Sequence, residues 1–266
     1  MRMVIAHEVG HALGLPHNMK ASAAYPTDSL RSAEFTQKYG LTPSIMDYAR
    51  VNYVAQPEDK GVRYIRMMGP YDLYAINWGY RYLPEADTPD DEKEKLDQWI
   101  LEKAGDPVYE FGGGYGGFDP QAQRESLGKD QVKASEYGLA NMKKVVPNLI
   151  EWTTKDGYAY DELEEVYGEL ISLWRGYLYH VVTNVGGVYE TRKTSDQEGT
   201  IYTPVPDDIQ KNAVQFLNEN AFTTPDWLLN KDILDRIESS GAIARVQNLQ
   251  SRVLNYLLNL YNKNQI

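Results

Sequence analysis

The 266-residue sequence contains no cysteine. Disulfides and thiolate ligands are therefore excluded, and any metal must rest on histidine and carboxylate. The absence leaves the compartment open, since cysteine-free chains suit cytosol and periplasm alike. Positive charge is scarce: 27 Lys and Arg against 38 Asp and Glu give a net charge of −11. That argues against nucleic acid as a partner, because phosphates need a basic surface. No stretch approaches the ~20 apolar residues of a membrane span, and no signal-peptide pattern opens the chain. Histidine is rare as well, with four in all. What remains, 42% hydrophobic and 24% charged residues, is a globular composition long enough for one large or two modest domains.

Three of those four histidines fall together, in His7-Glu8-Val9-Gly10-His11-Ala12-Leu13-Gly14-Leu15-Pro16-His17. On a helix, His7 and His11 project from one face and can share a metal ion. Glu8, beside the first ligand, can reach a metal-bound water as general base. Gly14, lacking Cβ, is where the helix can turn sharply, and the turn swings His17 back as third ligand. Three neutral imidazoles leave a tetrahedral position open, the arrangement of a catalytic rather than a structural Zn²⁺ site. A bare H-E-x-x-H also arises on ordinary surface helices. The extended H-E-x-x-H-x-x-G-x-x-H outweighs that reading.

Downstream, Ser44-Ile45-Met46-Asp47-Tyr48-Ala49-Arg50 resembles the Met-turn of metzincin zinc metallopeptidases, in a form similar to the astacin and serralysin branches. The resemblance implies that Met46 forms an apolar floor beneath the histidines without binding metal. It implies that Tyr48 reaches the metal or the reacting oxyanion. His17-Asn18, the Met-turn, Asn52–Asp59 and Gly69–Ile76 together resemble large exported bacterial metzincins with a long helical C-terminal extension. That group implies an exported protein, whether periplasmic, cell-surface or secreted.

The expected fold is mainly α: the C-terminal part of a metzincin catalytic domain over residues 1–83, then a helical extension with a small β-hairpin over 84–266. The sheet that precedes the zinc helix in metzincins is not in the sequence. The apolar residues Val4, Ile5, Val9 and Leu13 on more than one face of the first helix suggest packing on such an upstream half, the expected partner within the same polypeptide. Ser32 and Gly40 bracket a short helix. Val51–Gln56 and Val62–Met67 are short strands or extended loops, and Gly69-Pro70 opens a helix with Leu73, Ile76, Asn77 and Tyr80 on one face. An acidic linker from Glu85 leads into a helix at about Asp90–Ala104. The glycine-rich Phe111–Phe118 lacks the Lys-Ser/Thr of a phosphate loop and reads as a mobile connector, with a cleft-bordering loop as the minor reading. Helices follow at 132–146, 163–181, 206–218, 225–238 and 241–262, the last with Val246, Leu249, Val253, Leu257 and Leu260 as a buried stripe. Val188–Arg192 and Thr200–Tyr202 form the hairpin. His180, inside a helix, reads as a core or surface residue rather than a fourth ligand.

The function this supports is a zinc-dependent endopeptidase acting on peptide or protein substrates. His7, His11 and His17 would hold the metal, Glu8 would act as base and Tyr48 as oxyanion donor. Two other classes remain compatible with the residues: a helical binding or structural module, or an inactive fragment, whose zinc helix is a remnant, and a metal-dependent hydrolase of non-peptide substrates. Read as an active-site half without its upstream sheet, the chain alone is expected to be a weak peptidase.

Overall fold

In the computed structural model, which describes residues 1–114, 118–238 and 242–263 (side chains only to 259), the protein is mainly helical. The α-helices among the described residues are α1 (Arg2–Ala12), α2 (Ala33–Tyr39), α3 (Pro70–Tyr80), α4 (Pro89–Leu101), α5 (Gln131–Val145), α6 (Leu149–Thr153), α7 (Asp161–Val182), α8 (Asp207–Leu217), α9 (Lys231–Ile237) and α10 (Ala242–Lys263). A two-stranded sheet pairs β1 (Val188–Glu190) with β2 (Tyr202–Pro204). No described helix is long and apolar enough to cross a membrane. The chain divides into two units, Met1–Asp130 with Tyr189–Thr203, and Gln131–Val188 with Pro204–Ile266. Compactness thus breaks after Asp130 rather than at the acidic linker near Leu83-Pro84, because α4 and the hairpin residues 189–203 belong to the first unit.

In that first unit, α2 forms as its punctuation requires. Ser32 Oγ accepts the Phe35 N–H at 3.2 Å, and Gly40 ends the helix at φ 75°. Val51–Gln56 and Val62–Met67 are extended loops, not strands. They meet through Asn52 N–H donating to Tyr64 O at 2.9 Å, and the buried Asn52 side chain donates to Leu30 O and Arg63 O in place of a ladder. Helix α3 starts where Asp72 accepts the Gly69 N–H at 2.8 Å. Its Leu73–Tyr80 face is turned outward, with Leu73 68% and Tyr80 60% exposed, while Asp72 is buried. Val4, Ile5 and Val9 of α1 are exposed as well.

The glycine-rich segment is a close-packed strap where it is described, not a mobile connector. Gly112 N–H donates to Asn18 Oδ1 at 3.0 Å, and a Cβ at Gly114 (φ 69°) would lie 2.7 Å from Met19 Cγ. Its residues 115–117 lie outside the described set. The same region holds a buried ammonium: Lys20 Nζ donates to Asp119 Oδ2 at 3.0 Å and to the Glu190 carbonyl, with Glu110 at 3.3 Å. Lys20 is 3% exposed, so losing both carboxylate partners would strand a charge at a cost of about 3–5 kcal/mol.

The second unit is built on α7, which packs against α5, α6, α8, α9 and α10. Trp174 and Tyr167 are fully buried on it, yet keep their polar atoms paired: Trp174 Nε1 donates to Asn220 O and Tyr167 Oη to Leu228 O. Each such burial contributes roughly 1.5–3 kcal/mol. Gly138 of α5 lets that helix meet the Tyr177 ring, since a Cβ would sit 2.6 Å from Tyr177 Cζ. Helix α9 is shorter than the expected 225–238, because Asn230 caps it by accepting the Ile233 N–H. In α10 the stripe is buried at Val246, Leu249 and Val253 and half-buried at Leu257. Gly241 and the Leu260 side chain lie outside the described residues.

One buried acid gives this fold a pH signature. Asp47 is wholly buried in the first unit, accepting N–H groups from Ser22 (2.6 Å) and Ala49 (2.9 Å). Burial outweighs those bonds and pushes its pKa up to about 7. A folded-state pKa above the unfolded one means that the native chain binds the proton more tightly. This group's contribution is therefore complete below about pH 4 and is lost as pH rises towards about 7. Thermal melts of wild type and Asp47→Asn between pH 4 and 7 should show the wild-type Tm falling relative to the variant. Parallel profiles would contradict the assignment.

Candidate metal centre

The centre begins with the end of α1. Gly14 adopts φ 82°, Leu15 N–H donates to Gly10 O at 3.0 Å and Gly14 N–H to His11 O at 2.9 Å. This is a Schellman stop, and it satisfies the last carbonyls of the helix. The same turn aims the second histidine, because His11 Nδ1 donates to Leu15 O at 2.8 Å. His7 Nδ1 donates to Ile45 O at 2.8 Å. Since a carbonyl only accepts, both imidazoles carry their proton on Nδ1 and offer the Nε2 lone pair.

His17 completes the set. The ligand atoms of His7, His11 and His17 all lie within 4.8 Å of one another, and His180 is not among them. His11 Nε2 and His17 Nε2 are 3.0 Å apart. A tetrahedral zinc with bonds of about 2.0–2.1 Å would hold two such nitrogens roughly 3.3 Å apart, so the donor set fits the ion. Burial, then the neighbouring His11 and His7, lower the His17 pKa, which keeps it in the neutral, ligating form. Glu8 is exposed next to His7 and close enough to His17 to act on it electrostatically. The Tyr48 ring lies 4.4 Å from the His17 ring and 5.6 Å from the His7 ring.

Beneath the histidines, Met46 is fully buried. A Cβ at Gly10 would sit 2.3 Å from Met46 Sδ, so this thioether presses directly on the helix between the two ligands. Asn18 N–H donates to Met46 O at 3.1 Å, tying the chain after the third ligand to the same turn. Asp72 fastens the turn from the other side: Ser44 Oγ and Ile45 N–H donate to its carboxylate at 2.6 and 2.8 Å. Arg66 Nη1 donates to Ile45 O at 3.1 Å.

Of the six residues expected at the site, His7, His11 and His17 group together, Tyr48 lies beside them, Met46 lies beneath, and Glu8 is exposed next to His7. Gly10, Arg66 and Asp72 were not singled out from the sequence. Gly10 carried a usable signal, a residue without a side chain between two ligands on one helix. Asp72 carried another, an acid three residues after Gly69 where a cap is needed.

A sequence profile of the family described as Met-zincin (DUF4953) matches residues 1–266, the whole chain. The chain belongs to the Met-zincin family. No curated protein and no solved structure shows significant similarity to it. In this Met-zincin the name describes a visible contact, a methionine seated against the histidine helix. That contact makes Gly10 intolerant of a methyl group. Gly10→Ala should weaken zinc binding by ~10-fold or more and lower Tm, since Met46 Sδ already occupies the place of the added methyl. Zinc titration and thermal melting test this, and wild-type values for both would show the contact to be slack.

Proposed function

We propose that this Met-zincin is a zinc-dependent metalloendopeptidase. The observation that supports the reading is the grouping of His7, His11 and His17, with the Tyr48 ring beside them and Glu8 exposed next to His7. His7, His11 and His17 would hold the ion. When bound there, zinc supplies a Lewis acid that activates water near neutral pH and polarises a carbonyl. Glu8, exposed beside His7, takes the proton of the attacking water and returns it to the leaving amine. The Tyr48 hydroxyl donates a hydrogen bond to the oxyanion that forms. Ile45 O and Leu15 O keep the two helix-borne imidazoles oriented. In this proposal residues 1–83 carry the chemistry and 84–266 extend and support it.

Glu8→Ala removes the base and no ligand. It should keep zinc while peptide hydrolysis falls by several orders of magnitude. Tyr48→Phe should lose less, on the order of ~10² in kcat, as for one oxyanion donor. Both are read with a quenched-fluorescent peptide mixture at equal zinc content. Equal rates for Glu8→Ala and wild type would refute the mechanism.

A further inference from the structure

The residues around Tyr48 carry a charge pattern that the hydrolytic mechanism does not use. The chain as a whole is acidic, with a net charge of −11. Yet the guanidinium of Arg124 lies 5.7 Å from the centroid of the Tyr48 ring, and that of Arg50 lies at the same distance. Arg66, buried below, donates to Ile45 O. Among the acids near this group are Glu125, paired with Arg50 at 2.9 Å, the buried Asp47, and Glu8, which acts electrostatically on His17. Arg124 also acts electrostatically on His17.

Arg124 is held in place by a rigid segment rather than displayed by chance. Ala122, Ser126, Leu127 and Gly128 on either side of it are buried. Ser126 Oγ meets Ser22 Oγ at 3.1 Å, Gly128 N–H donates to Ser22 O, and Lys129 N–H to Tyr25 O, both at 2.9 Å. A Cβ at Gly128 would strike Thr27 Oγ1 at 2.5 Å. Between these anchors Glu125 takes φ 64°, the one non-glycine positive φ among the described residues. A side-chain-bearing residue in the left-handed region costs energy and persists only where its surroundings impose it. The imposed turn places Arg124 and Glu125 at the surface side by side, one towards Tyr48 and the other onto Arg50.

We propose that Arg124 is a specificity-determining residue that receives a substrate carboxylate, close to the bond being cut. The inference rests on the peptidase reading above. The 5.7 and 4.4 Å centroid distances place the guanidinium no more than about 10 Å from the His17 ring, some three residues of extended peptide at ~3.3 Å each. A guanidinium fork binds carboxylate in preference to other groups on a peptide, and it stays charged at any working pH. The carboxylate is either an Asp or Glu side chain of the substrate or its free C-terminus.

The test uses the zinc-loaded protein and peptides identical except at one position. Asp, Glu, Ala and Lys are scanned over three residues on each side of the cleaved bond, with free and amidated C-termini. At one position, or for the free C-terminus, the acidic form should exceed its neutral counterpart ~10- to 100-fold in kcat/KM. In Arg124→Ala that ratio should fall towards one, and in Arg124→Glu it should favour Lys or the amide. The position of the effect tells side chain from C-terminus. Dissociation constants of the same peptides for zinc-loaded Glu8→Ala, with and without Arg124→Ala, should show the same ratios without turnover. A ratio that Arg124→Ala leaves unchanged would overturn the proposal. If wild type cuts no peptide, the peptidase reading fails, and the binding ratios alone decide the role of Arg124.

Discussion

One residue's backbone holds the centre together, that of Ile45, with a peptide bond on either side. Its carbonyl receives the Nδ1 proton of His7 and a guanidinium proton of Arg66, and its N–H is given to Asp72. The first of these contacts leaves Nε2 of His7 as the nitrogen that would face a metal. The second and third hold the carbonyl still, so the imidazole is oriented by a fixed acceptor rather than by solvent. Met46 follows at once and presses into the gap left by Gly10. A turn distant in sequence thus defines where a helix sits and how its ligands point. Asp72 reaches it from α3, whose first turn the same carboxylate caps. Stabilising the helix start and stabilising the turn are one interaction.

Charge around this unit is arranged in layers. Burial lowers the His17 pKa, and backbone carbonyls take the Nδ1 protons of His7 and His11. Just outside them stand the cations Arg50, Arg66 and Arg124, with Glu125 and Asp47 as partial counterweights. The chain as a whole carries a net charge of −11. Neutral donors retain affinity for a dication, whereas positive charge a few ångströms away favours anionic groups on whatever approaches it. The rigid 122–130 segment and the buried Lys20 network serve the same end, since both pack the chain just after His17 against the rest of the first unit.

What the sequence revealed and what it concealed follow from distance along the chain. His7, His11, Gly14 and His17 were legible because a helix turn and its stop are local, and their geometry follows from spacing alone. Met46 and Tyr48 were legible only through a motif, since nothing local joins them to α1. Asp72 and Arg124 escaped because an exposed or capping charge has no periodicity to betray a tertiary partner. The glycines at 112 and 114 were misread for the opposite reason. Glycine allows both mobility and close approach, and only the neighbours Asn18 and Met19 decide between them. Composition marks the solvated stretch at Glu85, whereas the first compact unit runs to Asp130 and takes in residues 189–203 from a remote part of the chain. In α3 the apolar spacing pointed to one face, but capping Asp72 inward turned Leu73 and Tyr80 outward.

Three imidazoles, two of them pre-aimed by backbone carbonyls, would make one open-sided zinc site. X-ray absorption at the zinc edge, on protein loaded with one equivalent of zinc, tests it most directly. The account predicts three imidazole nitrogens at about 2.0–2.1 Å and a light oxygen or nitrogen ligand completing the shell, the imidazole count falling to two in His17→Ala and unchanged in His180→Ala. A shell dominated by carboxylate oxygen, or an imidazole count that depends on His180 rather than His17, would contradict it.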